Sequence, residues 1–169
     1  MAFTFLRRWF ARPGACIPND PGGNGGAEEQ FQAGLESAGA QEFAQAAHWF
    51  TLAAEANHGM AQLQLATLFE KGQGVTRDGM KSLLWLKRSA NLGTALAQYR
   101  LGVRQHLSCR GNKTAVASED RIEALKWARL SAAQGCVGAD GACEYMALDM
   151  TLEEVAESGR RVDSFVAGR

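Results

Sequence analysis

The 169-residue sequence predicts an all-α fold, a solenoid of stacked helix–turn–helix units. Three observations carry this. A tryptophan recurs at Trp49, Trp85 and Trp127, at intervals of 36 and 42 residues, and a fixed period of this size marks repeated supersecondary units. The prolines, Pro13, Pro18 and Pro21, all lie near the start, so nothing later in the chain blocks a helix. Within a unit, apolar residues such as Leu63, Leu65, Leu68 and Phe69 fall at near-helical spacing.

Taken in order, residues 1–26 differ from the rest. They hold the prolines together with Gly14, Gly22, Gly23, Gly25 and Gly26, a composition that buries little apolar surface and predicts a flexible arm. Residues 27–169 form the second unit of organisation, the solenoid with a closing helix. Helices are expected at about 27–38, 41–56, 60–71, 78–91, 95–107, 120–134, 139–149 and 152–166.

Local chemistry places their ends. Lys71-Gly72-Gln73-Gly74-Val75 stops a helix, because glycine tolerates the left-handed conformation of a C-cap. Asp78 caps the next helix, and Thr151 with Glu154 three residues on forms a capping box. Gly93 and Gly135 close the second helices of two units. Asn57 holds the same register, and Asn is the second choice for that conformation.

The intervals hold at other positions too. Ala54, Ala90 and Ala132 match, as do Ala61, Ala97 and Ala139. Gln62 matches Gln98, with Asp140 third, and Leu65 matches Leu101, with Cys143 third. The recurring small residues, with Ala66 and Gly102, let helices approach closely, and Trp and Leu fill the space between layers. The longer second interval implies six extra residues between Ser108 and Asp120, read as an inserted loop over Cys109–Ser118.

The stretch AQLQLATLFEKGQGVTRDGMKSLLWLKRSANLG carries a resemblance. Gln62, Leu65, Phe69, Gly72, Gly74 and Val75, then Asp78, Lys81 and Trp85, then Ala90 and Gly93, are similar to the Sel-one-like repeat, a relative of the tetratricopeptide repeat. The resemblance covers about residues 27–149. The unit before Trp49 is four residues short, the third unit loses its Gly-x-Gly-Val turn, and the ending resembles a closing helix of small bacterial members. It implies a right-handed α/α superhelix, tetratricopeptide-like, whose concave face holds protein or peptide partners. It also implies an adaptor rather than an enzyme.

Composition bears on function by exclusion. Lys and Arg number 18, as do Asp and Glu, so the chain carries no net charge that would favour nucleic acid or an anionic membrane as main partner. Cys16, Cys109, Cys136 and Cys143 form no CxxC pair and no disulfide framework, and no apolar run is long enough to span a bilayer. Arginines interrupt the start of the chain, which is then no good secretory signal. A cytoplasmic location is the expectation.

No nucleophile–base constellation, phosphate loop or carboxylate pair stands out, so no catalytic site and no cofactor is expected. His48, His58, His106, Cys109, Cys136 and Cys143 supply metal-ligating atom types but match no zinc spacing. The repeated tryptophans read as packing between layers rather than as binding anchors. In the arm, Phe3, Phe5, Leu6, Trp9 and Phe10 alternate with Arg7, Arg8 and Arg12. This suits a membrane surface or a partner's groove, and equally a bare tail. Partner-binding candidates are the polar residues on the first helix of each unit: Gln64, Thr67, Glu70, Lys71, Arg100, Arg104 and Gln105, all expected to be exposed. An inhibitor or immunity-type regulator of a partner enzyme is the alternative to an adaptor, and a monomer or weak dimer is expected.

Overall fold

A computed structural model describes residues 26–110 and 114–168, and every statement here concerns those residues. They form eight α-helices and no strand: α1 (Ala27–Gly39), α2 (Phe43–Glu55), α3 (Gly59–Lys71), α4 (Gly79–Asn91), α5 (Ala95–Cys109), α6 (Ala115–Ala133), α7 (Ala139–Ala147) and α8 (Leu152–Ala167). Each helix packs on the next as far as α7, and α8 returns to lie on α6. The readings of the arm fall on residues 1–25 and lie outside the described residues.

The expected caps form. Asp78 accepts from the N–H groups of Met80 and Lys81 at 3.0 Å each. Gly72, Gly93 and Gly135 take positive φ of 71°, 91° and 72°, and Asn57 joins them at 62°. Thr151 and Glu154 make the reciprocal capping box of α8.

One boundary differs. The sequence reading starts the sixth helix near residue 120 and leaves Cys109–Ser118 as a loop. Instead α5 runs on to Cys109 and α6 begins at Ala115, so helix absorbs both ends of the insertion. Thr114 caps α6 by accepting from the Ala117 N–H at 3.3 Å, and Ala117 is buried.

Three apolar clusters follow one another along the stack. Phe31, Phe50, Ala53, Leu65 and Leu68 unite α1, α2 and α3. Leu63, Leu86, Ala97, Leu101, Trp127 and Leu130 unite α3 to α6. Leu125 and Met146 centre the third, which joins α6 to α7. Trp127 is buried and meets Phe165 of α8 edge-on at 5.4 Å. Trp85 is half-buried and packs against both the first and second clusters, so it spans two layers. Trp49 is also half-buried, beside the exposed His48. Cys143 is half-buried at the edge of the third cluster, and burial pushes its thiol pKa up.

Hydrogen bonds repeat with the sequence. Gln62 Nε2 donates to the Ala54 carbonyl at 3.0 Å, and Gln98 Nε2 does the same to Ala90 at 3.1 Å. Both glutamines are buried and tie one unit to the last turn of the unit before. Within units, Ser89 Oγ donates to Gly59 O at 2.6 Å and Ser131 Oγ to Ala95 O at 2.7 Å. Backbones approach closely between α5 and α6: a Cβ on Gly102 would lie 2.7 Å from Ala124 O and 3.2 Å from Ala128 N.

Helix α8 is held on α6 by charge as well as by Phe165. Glu154 is buried and accepts from Ser118 Oγ, from Arg121 Nη2 at 2.6 Å and from the Thr151 N–H at 2.8 Å. Burial alone would raise its pKa, but these donors outweigh it and bring the carboxyl down to about 2. Arg129 Nη1 adds bonds to Val155 O at 3.0 Å and Ser158 Oγ at 2.8 Å.

Replacing Gly102 with Ala should cost about 1–3 kcal/mol in urea unfolding, because α5 and α6 must part. Unchanged stability would mean that the contact has slack. Glu154→Gln should cost about 3 kcal/mol at neutral pH, since it leaves Arg121 without its carboxylate. A lowered folded-state pKa makes this stabilisation complete above the ordinary value of 4.5 and lost as pH falls toward about 2. The difference in thermal midpoint between parent and variant should therefore narrow over that window. A gap that persists at pH 2 would contradict the assignment.

Candidate partner-binding face

A solenoid offers a partner whatever its stacking leaves uncovered. The 36-residue interval sorts α3 and α5 position by position. Ala61, Leu65 and Leu68 of α3 are buried in the cluster shared with α1 and α2. Met60, Gln64, Thr67 and Lys71 follow one another at helical spacing on another side of α3, and Leu96, Arg100, Val103 and Leu107 hold the same registers on α5. None of these eight is buried.

Arg100 joins the two rows. Its Nη1 donates to Thr67 Oγ1 at 2.8 Å and its Nη2 to Glu70 Oε2 at 3.1 Å. Thr67 Oγ1 in turn donates to Leu63 O at 3.0 Å. The first helices of successive units therefore share one polar strip. At one end of the strip stand Met60 and Leu96, 38% and 44% exposed, an apolar pair in matching registers.

Five of the seven sequence candidates are less exposed than expected. Glu70 and Lys71 are exposed, whereas Gln64, Thr67, Arg100, Arg104 and Gln105 are half-buried. For Thr67 and Arg100 the reason is their mutual bond. Arg104 stands 36 residues after Leu68, on the side that packs toward the preceding unit, and Nη2 reaches Gly79 O at 3.4 Å. Gln105 stands at the register of Phe69 and in line with buried Gln98, Leu101, Gly102 and Cys109, and its Oε1 is buried with no partner. Polar residue type misled the reading of both. Gln64, Thr67, Glu70, Lys71 and Arg100 are brought together; Arg104 and Gln105 belong to packing surfaces. The reading missed Met60 and Leu96, although their 36-residue separation was available.

Among the described residues the histidines and cysteines do not gather into one site. His58 caps α3: Nδ1 accepts from the Ala61 N–H at 3.1 Å, Nε2 donates to Glu28 Oε2 at 2.9 Å, and the ring stacks on Phe31. His106 is buried against Tyr145, and burial pushes its imidazole pKa down. Cys109 donates to the His106 carbonyl at 3.3 Å. Among the described residues no group of three or more His, Cys, Asp or Glu could hold a metal ion. No helix among them is long and apolar enough to cross a membrane.

Comparison with known proteins matches this architecture. The family model described as the Sel1 repeat matches three consecutive segments, residues 33–58, 59–94 and 95–136. Among solved structures, the chain is similar to a protective antigen present in uropathogenic Escherichia coli strains displaying an SLR fold, with a TM-score of 0.71 and 18% identity. That similarity covers 85% of this chain and 30% of the other. It is also similar to a Sel1 repeat protein from Oxalobacter formigenes, with a TM-score of 0.63 and 28% identity, covering 85% of this chain and 42% of that one. The chain thus spans less than half the length of either. No curated protein matches it.

Because the Arg100–Glu70 pair is 36% and 51% exposed, it contributes little to folding. Arg100→Ala should lower unfolding free energy by about 1 kcal/mol or less, measured by chemical denaturation. A loss several times larger would place Arg100 among the packing residues.

Proposed function

The chain belongs to the Sel1-repeat family, whose members generally mediate protein–protein interaction, and from that premise we propose that it is a non-catalytic adaptor binding a protein or peptide along the α3–α5 face. The observation that carries the reading is the strip in which Arg100 links Thr67 and Glu70 across two units. Its donors are held in place, so a partner meets a surface that loses little entropy on binding. Met60 and Leu96 beside it supply the apolar anchor, and polar groups rim it, as in protein interfaces generally. Gln64 and Lys71 extend the same row.

The reading also accounts for what the repeats leave unconserved in type. Several buried registers hold the same residue in α3 and α5, as Ala61 and Ala97, Gln62 and Gln98, and Leu65 and Leu101 do, whereas the uncovered registers hold Gln64 and Arg100, Thr67 and Val103, and Lys71 and Leu107. Variation at uncovered registers on a repeated frame is how a repeat scaffold acquires specificity.

The test is affinity capture from the native host. The parent chain is compared with a Met60→Ser, Leu96→Ser, Arg100→Ala triple variant, each read by mass spectrometry and by far-ultraviolet circular dichroism. A stoichiometric protein should be retained by the parent and lost by the folded variant. Equal capture by both would move the partner to another face.

A further inference from the structure

The repeats are not filled alike at the turn between units. Gln98 is satisfied on both sides of its amide: Nε2 donates to Ala90 O, and Oε1 accepts from Gln134 Nε2 at 2.8 Å. Gln62, one unit earlier, makes the first bond to Ala54 O but not the second. Its Oε1 is shut off from solvent and has no partner, with the whole residue only 2% exposed. The amide cannot be reversed to relieve this, because the oxygen would then face the Ala54 carbonyl oxygen. Forty-two residues before Gln134 stands Leu92, which has no N–H in its side chain to offer. A buried acceptor left unpaired is costly, about 1–3 kcal/mol.

Gln62 is also among the residues that line a recess of about 320 Å³. Gln62, Glu55 and Asn57 line it from the α2–α3 turn, and Arg88, Asn91 and Leu92 from the end of α4. The Arg88 guanidinium is held 4.7 Å over the Trp85 ring. Leu92 is 45% exposed, so its side chain can swing aside at little cost.

We propose that this recess is a second binding site, which takes the carboxamide of a glutamine or asparagine side chain from a bound polypeptide. The incoming NH2 donates to Gln62 Oε1, as Gln134 does to Gln98. The incoming carbonyl accepts from Arg88 or Asn57 at the rim. A carboxylate would set oxygen against oxygen at Gln62, and an apolar side chain would leave the acceptor unpaired. Specificity therefore follows from the buried atom. The site opens at the turn between units rather than on the α3–α5 face, so it stands or falls independently of that face.

The test uses the isotopically labelled full chain and four probes: the N-acetyl, N-methylamide derivatives of glutamine, glutamate, norleucine and lysine. The glutamine probe should produce saturable shifts in the Gln62 side-chain amide, the Leu92 methyls and the Asn91 side chain. The glutamate and norleucine probes should produce none at Gln62. Leu92→Gln supplies the amide from within, so it should abolish the response to the glutamine probe and leave the thermal midpoint at or above that of the parent. Gln62→Ala is not used alone, since Gln62 also ties two units together. No response to the glutamine probe, an equal response to glutamate or norleucine, a stronger one to lysine, or an undiminished response in Leu92→Gln would each overturn the proposal.

Discussion

The stack depends on one buried hydrogen bond made twice. A glutamine in the first turn of a unit reaches back to a carbonyl in the last turn of the unit before, Gln62 to Ala54 and Gln98 to Ala90. Apolar contact alone would let neighbouring helices slide, because it is non-directional. A buried amide has one geometry in which its donor is satisfied, and leaving it unsatisfied is costly. The alanines around it, Ala54, Ala61, Ala90 and Ala97, are almost wholly buried and bring the backbones close enough for the bond. Asn57 and Gly93, in the left-handed conformation, turn the chain so that each following helix starts at the right place.

The third unit shows what happens when the bond is absent. Asp140 stands at the glutamine register and is exposed, and Cys143 replaces the core leucine. Helix α7 is short, nine residues. The end of the stack is closed from another direction: α8 returns onto α6 through Trp127 and Phe165, and through the buried Glu154 among Ser118, Arg121 and the Thr151 N–H. An ion pair shielded from water does part of this closing, so the α6–α8 contact weakens as acid protonates Glu154.

The fold was legible because its determinants repeat. Trp85, Ala90, Gly93 and Gln98 have counterparts 36 residues before them, 42 after them or both, and each has a local mechanism that residue type discloses. The start of α6 was not legible, because the insertion broke the interval and the cap, Thr114, has no counterpart in the other units. The candidate face was legible in part. Residue polarity picked out Gln64, Thr67, Glu70, Lys71 and Arg100 but also drew in Arg104 and Gln105, which occupy the registers of Leu68 and Phe69. Long polar side chains lie over packed surfaces with their stems buried, so polarity is a weaker guide to exposure than register. Comparing registers rather than residue types would have exchanged those two for Met60 and Leu96.

The two surfaces left uncovered differ in kind, and the difference follows from the same interval. Along the proposed α3–α5 face the registers differ between units and Arg100 is paired with Thr67 and Glu70, so a partner there would gain from shape and from the exposed Met60 and Leu96. At the α2–α3 turn the register is conserved in Gln62 but its satisfying partner is missing, so the gain lies in one buried atom. A surface of the first kind tolerates single substitutions, because no one contact dominates it. The second kind discriminates sharply between side chains of the same size. A polypeptide that lay along the first and placed one carboxamide in the second would couple broad affinity to a single point of selection, and the effective concentration of the tethered side chain would strengthen a bond that is weak for a free amide.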